Sequence, residues 1–250
     1  MNNSSNESGV LYVVATPIGH YDDLSQRALR CLGDVSCVLA EDTRRTGLLL
    51  KHHGVSASAM RSTHEHNEAA RVEFVVQQLA AGHSLALVTD AGTPLVSDPG
   101  FQIVRAVQAH GFAVSPLPGA CAAIAALCVA GLPSDRFCFE GFLPSREEAR
   151  RERLRSLCRE PRTVMFYESP RRLADTMADI ALCLGKERLV TICRELTKTH
   201  EQVVHGSAAE LCRCIADGKV PERGEVVLVV PGAKAAAGEH EPAEEAALDR

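Results

Sequence analysis

The 250-residue sequence predicts an α/β protein made of two domains. In its first half, short aliphatic runs alternate with amphipathic segments, a pattern typical of a mainly parallel sheet covered by helices. The sequence pattern changes near residues 116–119, which indicates a second domain. The strand signals beyond residue 188 are closely spaced, which indicates that this domain has a mixed sheet. We therefore predict domains over residues 9–118 and 119–232, flanked by disordered tails at 1–8 and 233–250.

Turn and cap residues predict the elements of the first domain. The expected strands are 10–15, 35–40 and 85–88, and the expected helices begin after Asp23, Asn67 and Asp98. Asp and Asn side chains accept hydrogen bonds from the free amides of a first helical turn. Gly33 and Gly82 are the expected ends of the first two helices, and Pro99 suits the first position of the third.

The same signals predict the elements of the second domain. An alanine-rich helix covers 120–130, and Ser-x-x-Glu capping boxes at Ser145 and Ser207 indicate the starts of two further helices. Another helix begins at Ser169-Pro170. The expected strands are 162–167, 189–193, 203–204 and 225–230.

The composition and the net charge disfavour several classes of protein. No apolar stretch is long enough to cross a bilayer, and the first eight residues are too polar for a signal peptide, so we expect a cytoplasmic protein with no membrane partner. The net charge of −5 disfavours a generally basic nucleic-acid binder, and no DNA partner is expected. The ten cysteines include no Cys-x-x-Cys pair and mostly occupy positions that suit small aliphatic side chains, so we expect reduced thiols.

Four expected strands end in loops rich in polar residues, glycine and proline. These loops are Thr16-Pro-Ile-Gly-His20, Glu41-Asp-Thr-Arg-Arg45, Asp90-Ala-Gly-Thr-Pro94 and Tyr167-Glu-Ser169. The carboxyl ends of parallel strands lie along one edge of a sheet, where α/β folds build ligand sites. The sequence therefore predicts a shared small-molecule cleft. It contains neither a P-loop nor a Gly-x-Gly-x-x-Gly fingerprint, so the pattern alone names no ligand.

Two further segments each have two interpretations. His64-Glu-His-Asn-Glu68 has the spacing of a metal cluster but no clear third ligand, and a polar wall of the cleft is the favoured interpretation, with no metal expected. The arginine-rich segment 146–162 indicates either a solvated helix with Glu–Arg pairs or a phosphate-binding face. With no tryptophan and three tyrosines, base stacking along a single strand is excluded as the main mode of binding.

Eight motifs follow one another along the chain. They are Leu11-Tyr-Val-Val-Ala-Thr-Pro-Ile-Gly19, Ala40-Glu-Asp-Thr-Arg44, His64-Glu-His-Asn-Glu68, Asp90-Ala-Gly-Thr-Pro-Leu95, Pro116-Leu-Pro-Gly119, Gly131-Leu-Pro-Ser-Asp-Arg-Phe137, Phe166-Tyr-Glu-Ser169 and Arg194-Glu-Leu-Thr-Lys198. In this order they resemble the small-subunit ribosomal RNA methyltransferase I family of the tetrapyrrole methylase superfamily. The resemblance covers residues 9–231, nearly the whole chain.

That resemblance implies two α/β domains of tetrapyrrole-methylase type, with S-adenosylmethionine in the cleft between them and usually a homodimer. It also implies 2′-O-methylation of a cytidine ribose in the decoding region of small-subunit ribosomal RNA, which makes the small ribosomal subunit the expected partner. His20 and Arg45 depart from the family pattern, although both keep hydrogen-bond donors.

The resemblance further implies roles for individual residues. The cofactor is expected to contact Thr16, Pro17, Asp90, Ala91, Gly92, Thr93, Leu95, Pro118, Ala120, Tyr167, Leu196 and Thr197. The candidate catalytic residues, which would remove the proton of the ribose hydroxyl, are Glu41, Asp42, Glu168 and Lys198. The residues expected to contact RNA are Arg44, Arg45, His64, His66, Asn67, Arg146, Arg150 and Arg151.

Two alternatives remain open from the sequence. A tetrapyrrole methyltransferase of the precorrin type shares the fold, but it leaves segments 41–45 and 64–68 unexplained. A non-catalytic ribosome-assembly factor is compatible with the arginine-rich segment, and it differs from an enzyme in leaving the mass of the RNA unchanged.

Overall fold

The computed structural model describes residues 8–64 and 67–233. The chain divides into two compact units, of which the first extends to Ala125 and takes in Glu195–Glu201. The second comprises Ala126–Arg194 and the chain from Gln202. The division predicted at residue 118 falls within the first unit. The tails predicted to be disordered lie almost wholly outside the described residues.

The first unit contains a five-stranded sheet whose strands are all parallel, as the sequence predicts. Its strands are β1 (Val10–Val14), β2 (Cys37–Ala40), β3 (Met60–Ser62), β4 (Leu85–Val88) and β5 (Ala113–Leu117), in the spatial order β3-β2-β4-β1-β5. Its helices are α1 (Gln26–Asp34), α2 (Thr43–His52), α3 (Glu68–Ala80) and α4 (Phe101–Ala109), with a 3₁₀ turn at Tyr21–Asp23. Helix α2 and strands β3 and β5 had no counterpart among the predicted elements.

Both faces of this sheet are buried, which is why its strands are continuous aliphatic runs. Along β4, Ala86 and Val88 pack on the side of α1 and α2, whereas Leu85 and Leu87 pack on the side of α3 and α4. The alternation follows from the two-residue period of a strand. Because helices cover both faces of the sheet, the ends of its strands are where loops can form a site.

Two predicted helix starts in this unit are wrong. Ser25 rather than Asp23 is the N-cap of α1, and its Oγ accepts a hydrogen bond from the Ala28 amide at 3.1 Å. The N-cap of α4 is Gly100, with φ of 128°, rather than Asp98. Asn67 does precede α3 as predicted, although its side chain does not cap the helix. Helix α1 also runs through Gly33 to Asp34 instead of ending at that glycine.

The second unit contains a mixed five-stranded sheet, as predicted. Its strands are β6 (Phe137–Phe142), β7 (Thr163–Glu168), β8 (Leu189–Arg194), β9 (Gln202–Ser207) and β10 (Val226–Val230), in the order β6-β7-β10-β8-β9. Only the β6–β7 pair is parallel. The remaining helices are α5 (Ala122–Val129), α6 (Glu147–Ser156), α7 (Leu173–Cys183) and α8 (Ala208–Ala216), with a 3₁₀ turn at Pro170–Arg172 before α7.

The two capping boxes predicted for this unit have different outcomes. At α8 the Ser207 hydroxyl and the Glu210 carboxylate bond each other's backbone amides, which confirms the box. At α6 the N-cap is Arg146 and makes no side-chain cap, so the box predicted at Ser145 is wrong. The core of the unit packs α6, α7 and α8 against its sheet around Phe166, Met177 and Leu228.

The structure can be compared with two predictions made from the composition, the state of the cysteines and the lack of a membrane-spanning segment. All ten cysteines are free thiols. Cys37 and Cys193 are buried, whereas Cys128 and Cys158 are exposed and therefore are not core residues. Among residues 8–64 and 67–233, no helix combines the length and apolar character needed to cross a membrane.

Candidate active site

The predicted loops of the first unit meet at the carboxyl edge of its parallel sheet. Strands β1 and β4 are neighbours, and the loops that follow them are joined by a two-residue bridge. The Thr16 amide donates to the Gly92 carbonyl at 2.8 Å, and the Gly92 amide donates back to the Thr16 carbonyl at 3.1 Å. The buried Thr16 hydroxyl lies 3.1 Å from the carbonyl of Thr89. These bonds fix the β4 loop against the end of β1.

Three carboxylates lie together where β2 and β4 end. The Asp42 amide donates to Asp90 Oδ1 at 3.0 Å, and the Asp90 amide donates to Glu41 Oε2 at 3.3 Å. Because β2 and β4 pair in register up to Ala40 and Val88, the residues that follow are brought side by side. The parallel sheet therefore brings together acids that are 48 residues apart in sequence.

Two arginines at the start of α2 partly neutralise this cluster. Both oxygens of Asp42 are bound by Arg44, with Oδ1 accepting from the Arg44 backbone amide at 2.8 Å and Oδ2 from its guanidinium at 2.7 Å. These hydrogen bonds hold the pKa of the Asp42 carboxyl well below its usual range. Arg45 pairs with Asp90 Oδ2 at 3.2 Å. The Arg44 side chain remains 89% exposed, so it can contact a second anion.

Backbone strain is concentrated in the loop after β4. Leu95 and Ser97 have φ of 71° and 63°, in the left-handed region that non-glycine residues rarely occupy. Thr93 Oγ1 donates to the carbonyl of Ala120 at 2.9 Å, which ties this loop to the chain that follows β5. Strain that is maintained by surrounding contacts is typical of ligand sites.

A second strained segment, Glu195–Glu201, packs on the loop after β1. Glu195 and Thr197 have φ of 51° and 63°. The His20 amide donates to Thr197 Oγ1 at 3.1 Å, and Lys198 Nζ pairs with Glu195 Oε1 at 2.8 Å. A Cβ at Gly19 would lie 2.5 Å from Lys198 Cγ, so only glycine permits this close approach. These contacts lie within the first unit.

The end of β3 carries a further group of the predicted site residues. The Asn67 side chain accepts from the His64 amide at 2.9 Å and donates to the Ser62 carbonyl at 3.2 Å, so it holds the turn before α3. The Thr63 and Thr89 hydroxyls are buried and have no hydrogen-bond partner among the described residues. His66 lies outside the described residues.

The predicted site residues of the second unit have structural partners. The Glu168 side chain is fully buried and accepts from the Ser169 amide, from the Thr176 hydroxyl at 2.7 Å and from Arg172. Tyr167 directly precedes it on β7, and its ring packs edge-on against Phe139 and Phe142.

Two predicted RNA contacts in this unit are held by a buried carboxylate. Asp179 accepts from Arg150 Nε at 2.7 Å and from Arg151 Nε at 2.6 Å. The Arg150 side chain is only 5% exposed, whereas Arg151 is 29% exposed and Arg146 is exposed. This pair stabilises the packing of α6 on α7, and Arg150 is not available at the surface.

Most of the predicted site is thus brought together within the first unit. Thr16, Pro17, Pro118 and Ala120 follow β1 and β5, residues 90–95 follow β4, and Leu196–Lys198 return to the same unit. Glu195, Ser97 and Thr63 were not among the site residues predicted from the sequence. Glu195 pairs with Lys198 three residues later in the same segment, and this local spacing of opposite charges is the signal that could have selected it.

Comparisons with known proteins identify the family. The model of the Tetrapyrrole (Corrin/Porphyrin) Methylases matches residues 10–212. The solved structure of the methyltransferase CobJ aligns with a TM-score of 0.65 and 19% identity, over 90% of this chain and 95% of that one. Uroporphyrin-III C-methyltransferase from Thermus thermophilus, complexed with S-adenosylhomocysteine, aligns with a TM-score of 0.60 and 20% identity, over 91% and 99%. The fold is that of the tetrapyrrole methylases.

The sequence relatives define a narrower group within this class. The ribosomal RNA small subunit methyltransferase I of Escherichia coli O157:H7 is 49% identical over 232 residues, which cover 93% of this chain and 81% of the relative. The chain belongs to the ribosomal RNA small subunit methyltransferase I family.

Proposed function

We propose that the protein transfers a methyl group from S-adenosylmethionine to the 2′-hydroxyl of a cytidine ribose in the decoding region of small-subunit ribosomal RNA. The observation that carries this proposal is the network of Glu41, Asp42, Asp90, Arg44 and Arg45 at the carboxyl edge of the parallel sheet. It combines carboxylates, which suit proton removal, with exposed guanidinium groups, which suit a phosphate backbone. The relatives are named for ribosomal RNA methylation.

The loops around Thr16, Gly92 and Thr197 fit S-adenosylmethionine, which supplies a methyl group already activated on a sulfonium. The cofactor carries a cation, an amino group and a polar ribose. Asp90 provides a partly buried carboxylate for positive charge, at 22% exposure. The buried Thr89 hydroxyl has no partner among the described residues, as expected beside a ligand that completes its hydrogen bonding. The proposed contacts are Thr16, Pro17, Asp90, Ala91, Gly92, Thr93, Leu95, Pro118, Ala120, Leu196 and Thr197.

Glu41 is the general base in this proposal. Its side chain accepts a single described hydrogen bond, from the Asp90 amide at 3.3 Å, so one oxygen is available for a ribose hydroxyl. Asp42 is a weaker base, because Arg44 occupies both of its oxygens and lowers its pKa. Removal of the 2′-hydroxyl proton as the methyl group arrives makes the oxygen a better nucleophile.

The two other candidate bases have supporting roles. Glu168 is fully buried and holds three donors, so it stabilises the second unit around Thr176 and Arg172. Lys198 pairs with Glu195 on a strained segment, and a cationic side chain there stabilises negative charge on the ribose oxygen instead of accepting a proton.

Arg44 is the leading RNA contact in this proposal, because its side chain is the most exposed of the arginines paired at the site. Arg45 and Arg146 extend the same type of contact, and His64 and Asn67 shape the turn at the end of β3. Guanidinium groups bind phosphate oxygens in pairs and position an RNA strand without reading its bases.

The proposed substrate is the assembled small subunit rather than a short RNA. The chain has no tryptophan, three tyrosines and seven phenylalanines, too few to hold a single strand mainly by base stacking.

We further propose a homodimer that acts in the cytoplasm. Light scattering of the purified chain measures the oligomeric state directly.

Methyl transfer from labelled S-adenosylmethionine tests the function. Small subunits from a strain that lacks this modification are incubated with the protein, and the ribosomal RNA is mapped by mass. We expect one methyl group on one cytidine ribose. Bound cofactor without any change in RNA mass would contradict the enzyme and favour a binding factor, and label on a porphyrin or corrinoid acceptor would favour a tetrapyrrole methyltransferase.

A further inference from the structure

A cluster of metal-binding side chains lies on the first unit, apart from the residues proposed above. It consists of Asp22 in the 3₁₀ turn after β1, His52 at the end of α2, and His53 directly after it. One ligand atom from each residue lies within 4.8 Å of the others. Two imidazoles and a carboxylate therefore converge on one volume at the surface.

The contacts within this cluster bring its nitrogen and oxygen atoms close to coordination spacing. His52 Nε2 lies 3.3 Å from Asp22 Oδ1, and the rings of His52 and His53 are 4.9 Å apart at nearly a right angle. His53 Nε2 lies 2.9 Å from the Tyr21 carbonyl. Ligand atoms around a tetrahedral zinc ion are about 3.3–3.5 Å apart, since each Zn–N or Zn–O bond is about 2.0–2.2 Å. The three side chains are exposed or half-buried, so little packing opposes their rotation toward that spacing.

A fourth polar side chain lies beside the three. His20 Nδ1 accepts a hydrogen bond from the Asp22 amide at 3.3 Å and lies 3.9 Å from Asp22 Oδ2. His20 therefore places another imidazole next to the carboxylate. The C-terminal end of α2 also carries the negative end of the helix dipole, which favours a bound cation there.

We propose that Asp22, His52 and His53 form a binding site for a borderline transition-metal ion, with zinc as the expected occupant. Two imidazoles and one carboxylate match the donor preference of Zn²⁺, whereas Mg²⁺ and Ca²⁺ prefer oxygen ligands throughout. Three protein ligands leave the fourth position for water or for His20. The site is independent of the proposed methyl transfer, because none of its three ligands belongs to the proposed active site.

A hydrogen bond between His52 and Asp22 also explains part of this geometry without a metal. That account predicts no role for His53, whose ring nitrogen lies next to a carbonyl and not a carboxylate. The effect of replacing His53 on metal affinity therefore separates the two accounts.

Calorimetric titration with Zn²⁺ tests the site. The full chain is used with Cys128 and Cys158 replaced by Ser, because exposed thiols also bind zinc. We expect one ion per chain, with affinity reduced at least about tenfold by His52→Ala, by His53→Ala and by Asp22→Asn. The matched control is His110→Ala, because His110 also follows a helix, α4, and its Nδ1 lies 2.8 Å from the carbonyl of Ala106.

Tyrosine fluorescence gives a second, local readout. The chain has no tryptophan, and the Tyr21 ring lies 5.1 Å from the His52 ring, so binding of paramagnetic Co²⁺ at the site is expected to quench Tyr21 emission. Circular dichroism checks that each variant is folded. Equal zinc affinity in His53→Ala and His110→Ala, or quenching that persists in His52→Ala, would overturn the proposal.

Discussion

Glu68 caps a helix to which it does not belong. It is the first residue of α3, and its Oε1 accepts hydrogen bonds from the backbone amides of Gln102 at 2.5 Å and Ile103 at 3.1 Å. Those amides are free donors of the first turn of α4. Glu68 therefore performs, from 34 residues away, the role that the sequence analysis gave to Asp98. It thereby joins α3 to the first turn of α4, the helix that follows the loop with the strained Leu95 and Ser97.

Replacing Glu68 by Ala is expected to destabilise the first unit by about 1–3 kcal/mol, because two amides in the first turn of α4 lose the carboxylate that accepts from them. Glu68→Gln keeps an acceptor oxygen and is expected to lose less. The free energy of unfolding in urea measures both. Glu73→Ala, at an exposed position of the same helix, is the control and should change stability by no more than about 0.5 kcal/mol. Equal losses in the two Ala variants would contradict the cap.

Glu41→Gln is expected to lower the rate constant of methyl transfer by about 10²–10⁴-fold, because the variant cannot accept the hydroxyl proton. Cofactor affinity should change little, since Gln keeps an oxygen for the Asp90 amide. Single-turnover rates as a function of pH, together with calorimetric binding of S-adenosylmethionine, separate the two effects.

Asp42→Asn is the matched variant for this test, because Asp42 is the adjacent carboxylate and has its oxygens bound by Arg44. A larger loss of rate in Asp42→Asn than in Glu41→Gln, with cofactor binding intact, would move the general base to Asp42. Unchanged rates in both would exclude a carboxylate base at the end of β2.

Arg44→Ala is expected to raise the KM for small subunits and to leave cofactor affinity unchanged. Loss of one phosphate contact should reduce the slope of log affinity against log salt by about one. Arg105→Ala is the control, since Arg105 is an exposed arginine on α4, away from the strand-end loops. Matching salt slopes for both variants would remove Arg44 from the RNA surface.

Asp179→Ala is expected to destabilise the second unit by about 3–5 kcal/mol, because it leaves the buried Arg150 guanidinium without its carboxylate. Asp175→Ala, at an exposed position of the same helix, should cost at most about 1 kcal/mol. Thermal unfolding compares the two. Full stability of Asp179→Ala would show that Arg150 is not held by this pair and would return it to the candidates for RNA contact.

The cysteines should differ in reactivity toward a thiol reagent. Burial, helped by the nearby Asp34 carboxylate, raises the pKa of the Cys31 thiol to about 11, so its thiolate is scarce at neutral pH. Exposed Cys128 and Cys158 should react first. Peptide mapping after brief labelling identifies the modified residues. Early labelling of Cys31 in the folded protein would contradict the raised pKa of its thiol.

The sheet class was predictable because its signals are local and repeated. Buried strands such as β4 are continuous aliphatic runs, and each is followed by a turn and an amphipathic helix. Helix α2 was missed because only two residues separate Thr43–His52 from β2 and because it carries arginines where a loop was expected. The start of α4 was misplaced because its amides are bound by Glu68, a partner that no local pattern reveals.

The candidate site was predictable only in part. Strand-end loops indicated Glu41, Asp42 and Asp90, since parallel strands bring their carboxyl ends to one edge. The difference between Glu41 and Asp42 as bases depends on the position of the Arg44 guanidinium, which the sequence does not give. Burial likewise separates Arg150 from Arg146, although the two lie on consecutive turns of one arginine-rich segment.

The return of Glu195–Glu201 to the first unit has a consequence for biosynthesis. A ribosome makes a chain from its amino terminus, and domains generally fold as they emerge. The parallel sheet is fully synthesised by Leu117, yet Leu196, Thr197 and Lys198 follow nearly 80 residues later, after most of the second unit. A nascent or truncated chain can therefore form the sheet while the segment that packs on Gly19 is still missing. The proposed cofactor contacts of Leu196 and Thr197 are then added to a sheet that was made much earlier in translation.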